Sequence, residues 1–265
     1  MARFMRLRGW IDRRAPVRDR PIYFQHIPKT AGSSVRSWLH SHYGDRLCPA
    51  WLAGDLVTSP LETLRGYEAF SGHFHNYLAP YLGLDLLTVT VLREPVARTR
   101  SHWSHVCRAA EHPHHQRVRR QTFTDFVMDD LNRVMIEDYQ ARHLIRLPFS
   151  LAVMASRYSE ADIAQFALSQ LLDQTSLALL KPDLLEGART ALGNVAVVGV
   201  TEHLHDFLVR VAKVANLPPP AKEAVPQANV SDERRPVELP PQALQRLHDL
   251  TRIDREIYNA VAGRA

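Results

Sequence analysis

Tyr23–Leu39, YFQHIPKTAGSSVRSWL, runs an apolar stretch into a proline, a lysine, small hydroxyl residues and a glycine, and then into the spacing of an amphipathic helix. A strand, a tight loop and a helix start in that order make a natural anion site. The first backbone N–H groups of a helix have no partner inside it and point at whatever lies beyond its end. Lys29 supplies a point charge, Thr30, Ser33 and Ser34 supply hydroxyls, and Gly32 lets backbone approach a ligand. The order is not that of a Walker A loop, in which Gly-Lys-Ser/Thr follows an earlier glycine, because here Lys29 precedes Gly32. That spacing argues against an ATPase loop and suits one terminal phosphate that carries a transferable group.

Outward from this stretch, strand-like runs occur at Ile22–His26, Ala69–Gly72, Leu86–Leu92 and Val195–Val200, separated by long segments of helical periodicity. The alternation predicts an α/β chain with a central, mostly parallel sheet flanked by helices. Helices are expected at Ser33–Tyr43, with Val35, Trp38 and Leu39 on one stripe, and at Val96–Ala110, where Pro95 preorganises the first turn. Thr124–Leu147 holds two helix patterns, Glu160–Leu180 a longer one, and Glu202–Leu217 another, closed by Pro218–Pro220. Residues 218–240, rich in proline and charge, read as a loop, and Pro241–Ala260, within the segment 241–261, as a terminal helix. With no internal repeat and no strong break, residues 1–265 read as one domain.

Composition bounds the function. Thirty-three Lys and Arg against 28 Asp and Glu give net +5, a mild basic bias that favours an anionic ligand or simply a solvated surface. Cys48 and Cys107 are too few for a disulfide framework. The first 20 residues are basic but lack the apolar core of a signal peptide, and no stretch reaches membrane length, so a soluble, cytoplasmic protein is expected. Lys and Arg are dispersed and no aromatic-basic module for nucleic acid is present. His102, His105, His112, His114 and His115 cluster, yet Pro113 interrupts the run and no Cys/His pair has zinc-finger spacing. A polar surface helix running into a loop explains them, and no metal is expected.

The loop His26–Leu39, HIPKTAGSSVRSWL, resembles the 5′-phosphosulfate loop of the carbohydrate sulfotransferases. Its Pro-Lys-Thr-Ala-Gly form resembles the branch that includes heparan sulfate 2-O-sulfotransferase and related bacterial proteins. A second segment, Thr88–His105, TVTVLREPVARTRSHWSH, is similar to that family's 3′-phosphate element. Three further stretches agree: FSGHFHNYL from Phe70, EDYQARHL from Glu137 and VVGVTEHLHDFL from Val197. The end, Asn229–Tyr258, also resembles the family's close, so the likeness extends from about Tyr23 to Tyr258.

The resemblance implies a P-loop-like sulfotransferase fold and an enzyme that takes its sulfuryl group from 3′-phosphoadenosine 5′-phosphosulfate (PAPS). It implies donor contacts from Lys29, Thr30, Ala31, Gly32, Ser33 and Ser34, a 3′-phosphate held by Arg93 and Ser101, and a catalytic base at His73. The acceptor implied is a hydroxyl, carried by a carbohydrate or glycan. Some relatives have two histidines flanking the glycine; here Ser71 takes the first place.

The chemistry agrees with the residues. Sulfuryl transfer from a phosphosulfate anhydride to an alcohol needs in-line attack, a base for the hydroxyl proton and positive charge on the departing phosphate oxygen. A histidine with a pKa of about 6.5 suits the base, and Lys29 suits the leaving oxygen. Each residue also has a plainer role open to it. Lys29 can be a solvated loop lysine, Arg93 an ion-pair partner of Glu94 or Asp85, and His73 a hydrogen-bonded core histidine. His75, two residues on, would share the face of His73 in a strand and is the reserve base. A non-catalytic protein that binds a nucleotide or anionic glycan, and an ATP-dependent P-loop kinase-like enzyme, are the alternative functions.

Overall fold

A computed structural model of the chain describes residues 20–145, 183–221 and 238–263. It is α/β, with a sheet of four strands, β1 (Ile22–Gln25), β2 (Ala69–Gly72), β3 (Leu87–Leu92) and β4 (Val197–Val200). All pairings are parallel and the order is β2-β1-β3-β4. The four expected strands are all present, with two of them starting one or two residues later than expected.

Both faces of the sheet are covered, which is why the strands read as apolar runs rather than alternating ones. Ile22 and Phe24 of β1 and Val89 and Val91 of β3 face Val35, Trp38 and Leu39 of helix Gly32–Tyr43 and Phe207, Leu208 and Val211 of helix Leu204–Ala215. On the other face, Tyr23 and Phe70 pack against Leu56, Leu64, Leu78 and Leu82, from short helices between residues 53 and 82, and against Phe74 from the segment just after β2. A third cluster joins Ile27 and Leu92, at or just past the strand ends, to Tyr139, Leu144, Leu184, Ile253 and Ile257. It packs the later helices over the end of the sheet where β1 and β3 terminate.

Two helix expectations need correction. Pro241–Ala260 is not one helix but two, Pro241–Leu250 and Arg252–Ala262, broken at Thr251. The cause is tertiary: Asp138 accepts from the N–H groups of Ile253 (2.8 Å) and Asp254 (3.1 Å), which gives the second helix its own start. Thr124–Leu147 likewise divides into Phe123–Met128, Arg133–Ile136 and Tyr139–Leu144. Asp129 and Glu137 adopt extended backbone between them and Asp138 is left-handed at φ 41°. The helix expected at Glu160–Leu180 lies outside the described residues, as do residues 1–19 of the basic extension and 222–237 of the proline-rich loop. No helix among the described residues is long and apolar enough to cross a membrane.

The topology matters for function. From β1 the chain moves to one side for β2, then crosses back to place β3 on the other side of β1. In open α/β sheets, ligands bind outside the carboxyl ends of the strands at such a reversal. Lys29–Ser34 leaves the end of β1 and Arg93 leaves the end of β3, so the two loops flank that point.

Candidate functional site

The first loop is built on unusual backbone. Lys29 (φ 74°) and Ala31 (φ 66°) are both left-handed although neither is glycine, a conformation costing about 1–2 kcal/mol per residue and found where surrounding structure enforces it, often at ligand clamps. Alternating left-handed residues turn successive N–H groups into a concave, anion-holding arrangement. Ala31 is the cap of helix Gly32–Tyr43 and, among the described residues, no side chain caps that helix. Its first turn also carries no acidic residue, so no carboxylate of that turn offsets the positive end of the helix.

The expected ligand residues are placed differently from one another. Ser33 is exposed and Lys29 and Ala31 are partly exposed, whereas Thr30 and Ser34 are buried. The Thr30 hydroxyl donates to the Ile27 carbonyl at 2.9 Å, so it folds the loop. Gly32 is needed for a reason the sequence did not suggest: a Cβ there would lie 1.7 Å from Nε2 of His26. The ring of His26 rests on Gly32, and any larger residue would displace it.

Arg93 joins the two loops. Its Nη1 donates to the Lys29 carbonyl at 3.2 Å, which brings the strand-end arginine onto the lysine loop. Of the two carboxylates set beside it in the sequence reading, Asp85 pairs with Arg20, and Glu94 accepts from the N–H groups of Val96 (3.1 Å) and Ala97 (2.7 Å) as the cap of helix Pro95–Arg108. The backbone of Arg93 is bracketed by the Gln140 side chain, which accepts from its N–H at 2.9 Å and donates to its carbonyl at 2.8 Å. Ser101 is buried on the same helix. His105, four residues on, shares its face.

His73 and His75 are sharply distinguished. β2 ends at Gly72, so the two do not share a strand face; His75 opens a short 3-10 turn with φ 51°. It is buried, stacked on His143 with centroids 4.5 Å apart, and its Nδ1 has no partner among the described residues. His73 is partly exposed. Its Nδ1 lies 2.9 Å from the His26 carbonyl, and because a carbonyl only accepts, Nδ1 carries the proton and neutral His73 presents Nε2 as a lone pair. Its ring packs against His26 (4.4 Å) and the edge of Trp51 (5.2 Å).

The electrostatics keep the site's histidines neutral. Burial is the largest cause in each case. It holds His73 down at about 4, assisted by His105 and Lys29, while the bond to His26 opposes. His26 lies well below its ordinary value through burial, then His73, Lys29 and Arg36. His105 is lowered by burial and then by Lys29. The charge of Lys29 therefore reaches histidines from the ends of β1 and β2 and from helix Pro95–Arg108. His26 was not singled out on sequence, and His105 was read only as a member of a surface histidine cluster, a reading that needs correction because His102, His112 and His115 of that cluster are buried. His26 sits inside the opening stretch, and the spacing of 98, 101 and 105 was the available signal for His105. Among the described residues, no group of three or more His, Cys, Asp or Glu is arranged to hold a metal ion.

The later segments meet at the same place. Thr201 Oγ1 donates to the Leu92 carbonyl at 3.1 Å, and Glu202 accepts from the Glu94 N–H at 3.3 Å. Gln140 and Ala141 donate their N–H groups to the two oxygens of Asp254, at 3.0 and 2.8 Å. Segments beginning at Glu137 and Val197 and the terminal helix thus converge on the residues around Arg93. Compared with protein-family models and with curated proteins, the chain finds no match.

Proposed function

We propose that the protein transfers the sulfuryl group of PAPS to a hydroxyl of an acceptor, a carbohydrate or glycan, on a P-loop-like sulfotransferase fold. The observation that carries this reading is the meeting of the two loops, with the Arg93 guanidinium on the Lys29 carbonyl at the carboxyl ends of adjacent strands β1 and β3, and His73 tied at 2.9 Å to the carbonyl of His26 just past the end of β1. A donor with a phosphate at each end of its ribose needs two anion sites that close together.

The residues fit the donor. The left-handed turn at Lys29–Ala31 and the uncapped helix start would hold the 5′-phosphosulfate. Arg93, with Ser101, would hold the 3′-phosphate. His73 takes the acceptor proton at Nε2 as the acceptor oxygen bonds to sulfur, and Lys29 neutralises the phosphate oxygen that receives the electron pair when its bond to sulfur breaks. His26 fixes the tautomer through its carbonyl. A loose transition state, with charge on peripheral oxygens, is stabilised by Lys, Arg and N–H groups in the manner of phosphoryl transfer.

Titration with 3′-phosphoadenosine 5′-phosphate, adenosine 5′-phosphate and ATP with magnesium tests the donor assignment. The 3′-phosphorylated nucleotide is expected to bind best, and Arg93→Ala to weaken it by about 1.5–3 kcal/mol, the range for hydrogen bonds to charged groups, while sparing adenosine 5′-phosphate. Preference for ATP with magnesium would point to a kinase-like enzyme instead.

A further inference from the structure

β3 ends at Leu92, and beyond it Arg93 has left the ladder to β1, whose strand ends at Gln25, so its backbone must find partners elsewhere. Those partners are supplied by one side chain, 47 residues away in sequence. Gln140 is fully buried. Its Oε1 accepts from the Arg93 N–H at 2.9 Å and its Nε2 donates to the Arg93 carbonyl at 2.8 Å, as a neighbouring strand would. Only one orientation of the carboxamide satisfies both groups. The backbone of Gln140 is fixed in turn by Asp254, which accepts from it at 3.0 Å, and the N–H of Asp254 is held by Asp138 at 3.1 Å. A continuous chain of hydrogen bonds therefore runs from the terminal helix to Arg93 and on to the Lys29 carbonyl.

We propose that Gln140 is a positioning residue for the 3′-phosphate: by clamping both backbone groups of Arg93 it aims the guanidinium into the crevice between the two loops. The inference rests on the reading of Arg93 as the 3′-phosphate ligand. Gln140 itself touches no donor atom and acts only through Arg93. Its replacement should therefore remove preference for the 3′-phosphate without weakening grip on the rest of the nucleotide.

The experiment measures affinity for 3′-phosphoadenosine 5′-phosphate relative to adenosine 5′-phosphate in wild type, Arg93→Ala, Gln140→Leu and Gln140→Glu. Gln140→Leu should lower that ratio by about tenfold, as expected for a lost orienting contact, with affinity for adenosine 5′-phosphate within about twofold of wild type. Gln140→Glu adds a readout that a merely structural residue would not give. When protonated, glutamic acid reproduces the acceptor and donor pair; when ionised, it turns a second negative oxygen on the Arg93 carbonyl. Its ratio, compared with wild type at each pH, should recover as pH is lowered. If Arg93→Ala loses the preference while Gln140→Leu keeps it, or if the Gln140→Glu ratio follows wild type at every pH, the positioning role is wrong and the donor assignment stands. If Arg93→Ala keeps the preference, the donor assignment fails and this inference falls with it. Should Gln140→Leu fail to fold, the Gln140→Glu pH series decides alone.

Discussion

Nε2 of His73 is available as a base because its other nitrogen is tied to the carbonyl of the residue whose ring it stacks on. Although His73 keeps some exposure, the loss of water around most of its ring, packed on His26 and Trp51, holds its pKa down at about 4, which sets a test. The acidic limb of kcat/KM reports the free protein and should lie well below pH 6.5, near 4. A bound phosphosulfate brings negative charge beside the ring and favours its protonated form, so the limb of kcat should lie at higher pH than that of kcat/KM. Coincident limbs near 6.5 would assign the titration to another group. His73→Ala should lower kcat by about 10²–10⁴-fold with nucleotide affinity nearly unchanged, the contribution usual for a positioned base. His75→Ala, at a buried site stacked on His143, should instead reduce thermal stability and leave the shape of the pH profile intact; a flat melting point with a lost acidic limb would move the base to position 75. Gly32 carries the main surprise at this scale. Its type was legible as a loop requirement, but its cause, the ring of His26, depends on a contact that spacing alone does not reveal.

At the scale of elements, two helices cap each other. Asp254 accepts from the first N–H groups of helix Tyr139–Leu144, and Asp138 accepts from those of helix Arg252–Ala262. Two carboxylates brought together out of water resist ionising, and Asp138 is pushed up to about 7 by burial and then by Asp254. A carboxyl raised in the folded state binds protons that the unfolded chain releases near pH 4, so its contribution to stability declines as pH rises from about 4 to about 7. Asp138→Asn keeps the accepting oxygen and removes the titration. The variant should therefore gain stability relative to wild type across that window, read as the difference in denaturant midpoint at each pH; a constant difference would place the titration elsewhere. This device also explains what was hidden in the sequence. All four strands were legible because both sheet faces are buried and each strand is a short apolar run bounded by turns. The break at Thr251 was not, because the residue that starts the second helix is Asp138, more than a hundred positions away. Local periodicity carries no trace of such a cap.

Across the described residues, the buried histidines are expected to govern the response to acid. His26, His75, His102 and His143 are buried and, chiefly through that burial, held below their ordinary values, His75 at about 3. The unfolded chain takes up protons near pH 6.5 that the fold refuses, so stability should fall as pH drops from about 6.5 toward 3, and denaturant midpoints at pH 7, 6 and 5 should decrease in that order. Rising or constant midpoints would mean that the carboxyl pair outweighs the histidines. The same packing brings Lys29, His73 and Arg93, from three separate stretches of chain, to the carboxyl ends of β1, β2 and β3, with the charge of Lys29 felt at His73 and at His105 on helix Pro95–Arg108. Lys29, Arg93 and His73 were readable as motifs, whereas the contact between the loops and the approach of His105 follow from strand order, which a single sequence does not state. Sulfuryl transfer by these residues can be followed as the passage of label from sulfur-labelled PAPS to a panel of hydroxyl acceptors. Wild type should transfer label and release 3′-phosphoadenosine 5′-phosphate. Lys29→Ala and His73→Ala, folded and still binding nucleotide, should be slower by about 10²-fold or more, the loss usual for one charge-stabilising donor or one positioned base. Equal rates in wild type and both variants, or a wild type that binds the nucleotide and transfers no label to any acceptor, would contradict sulfuryl transfer by these residues.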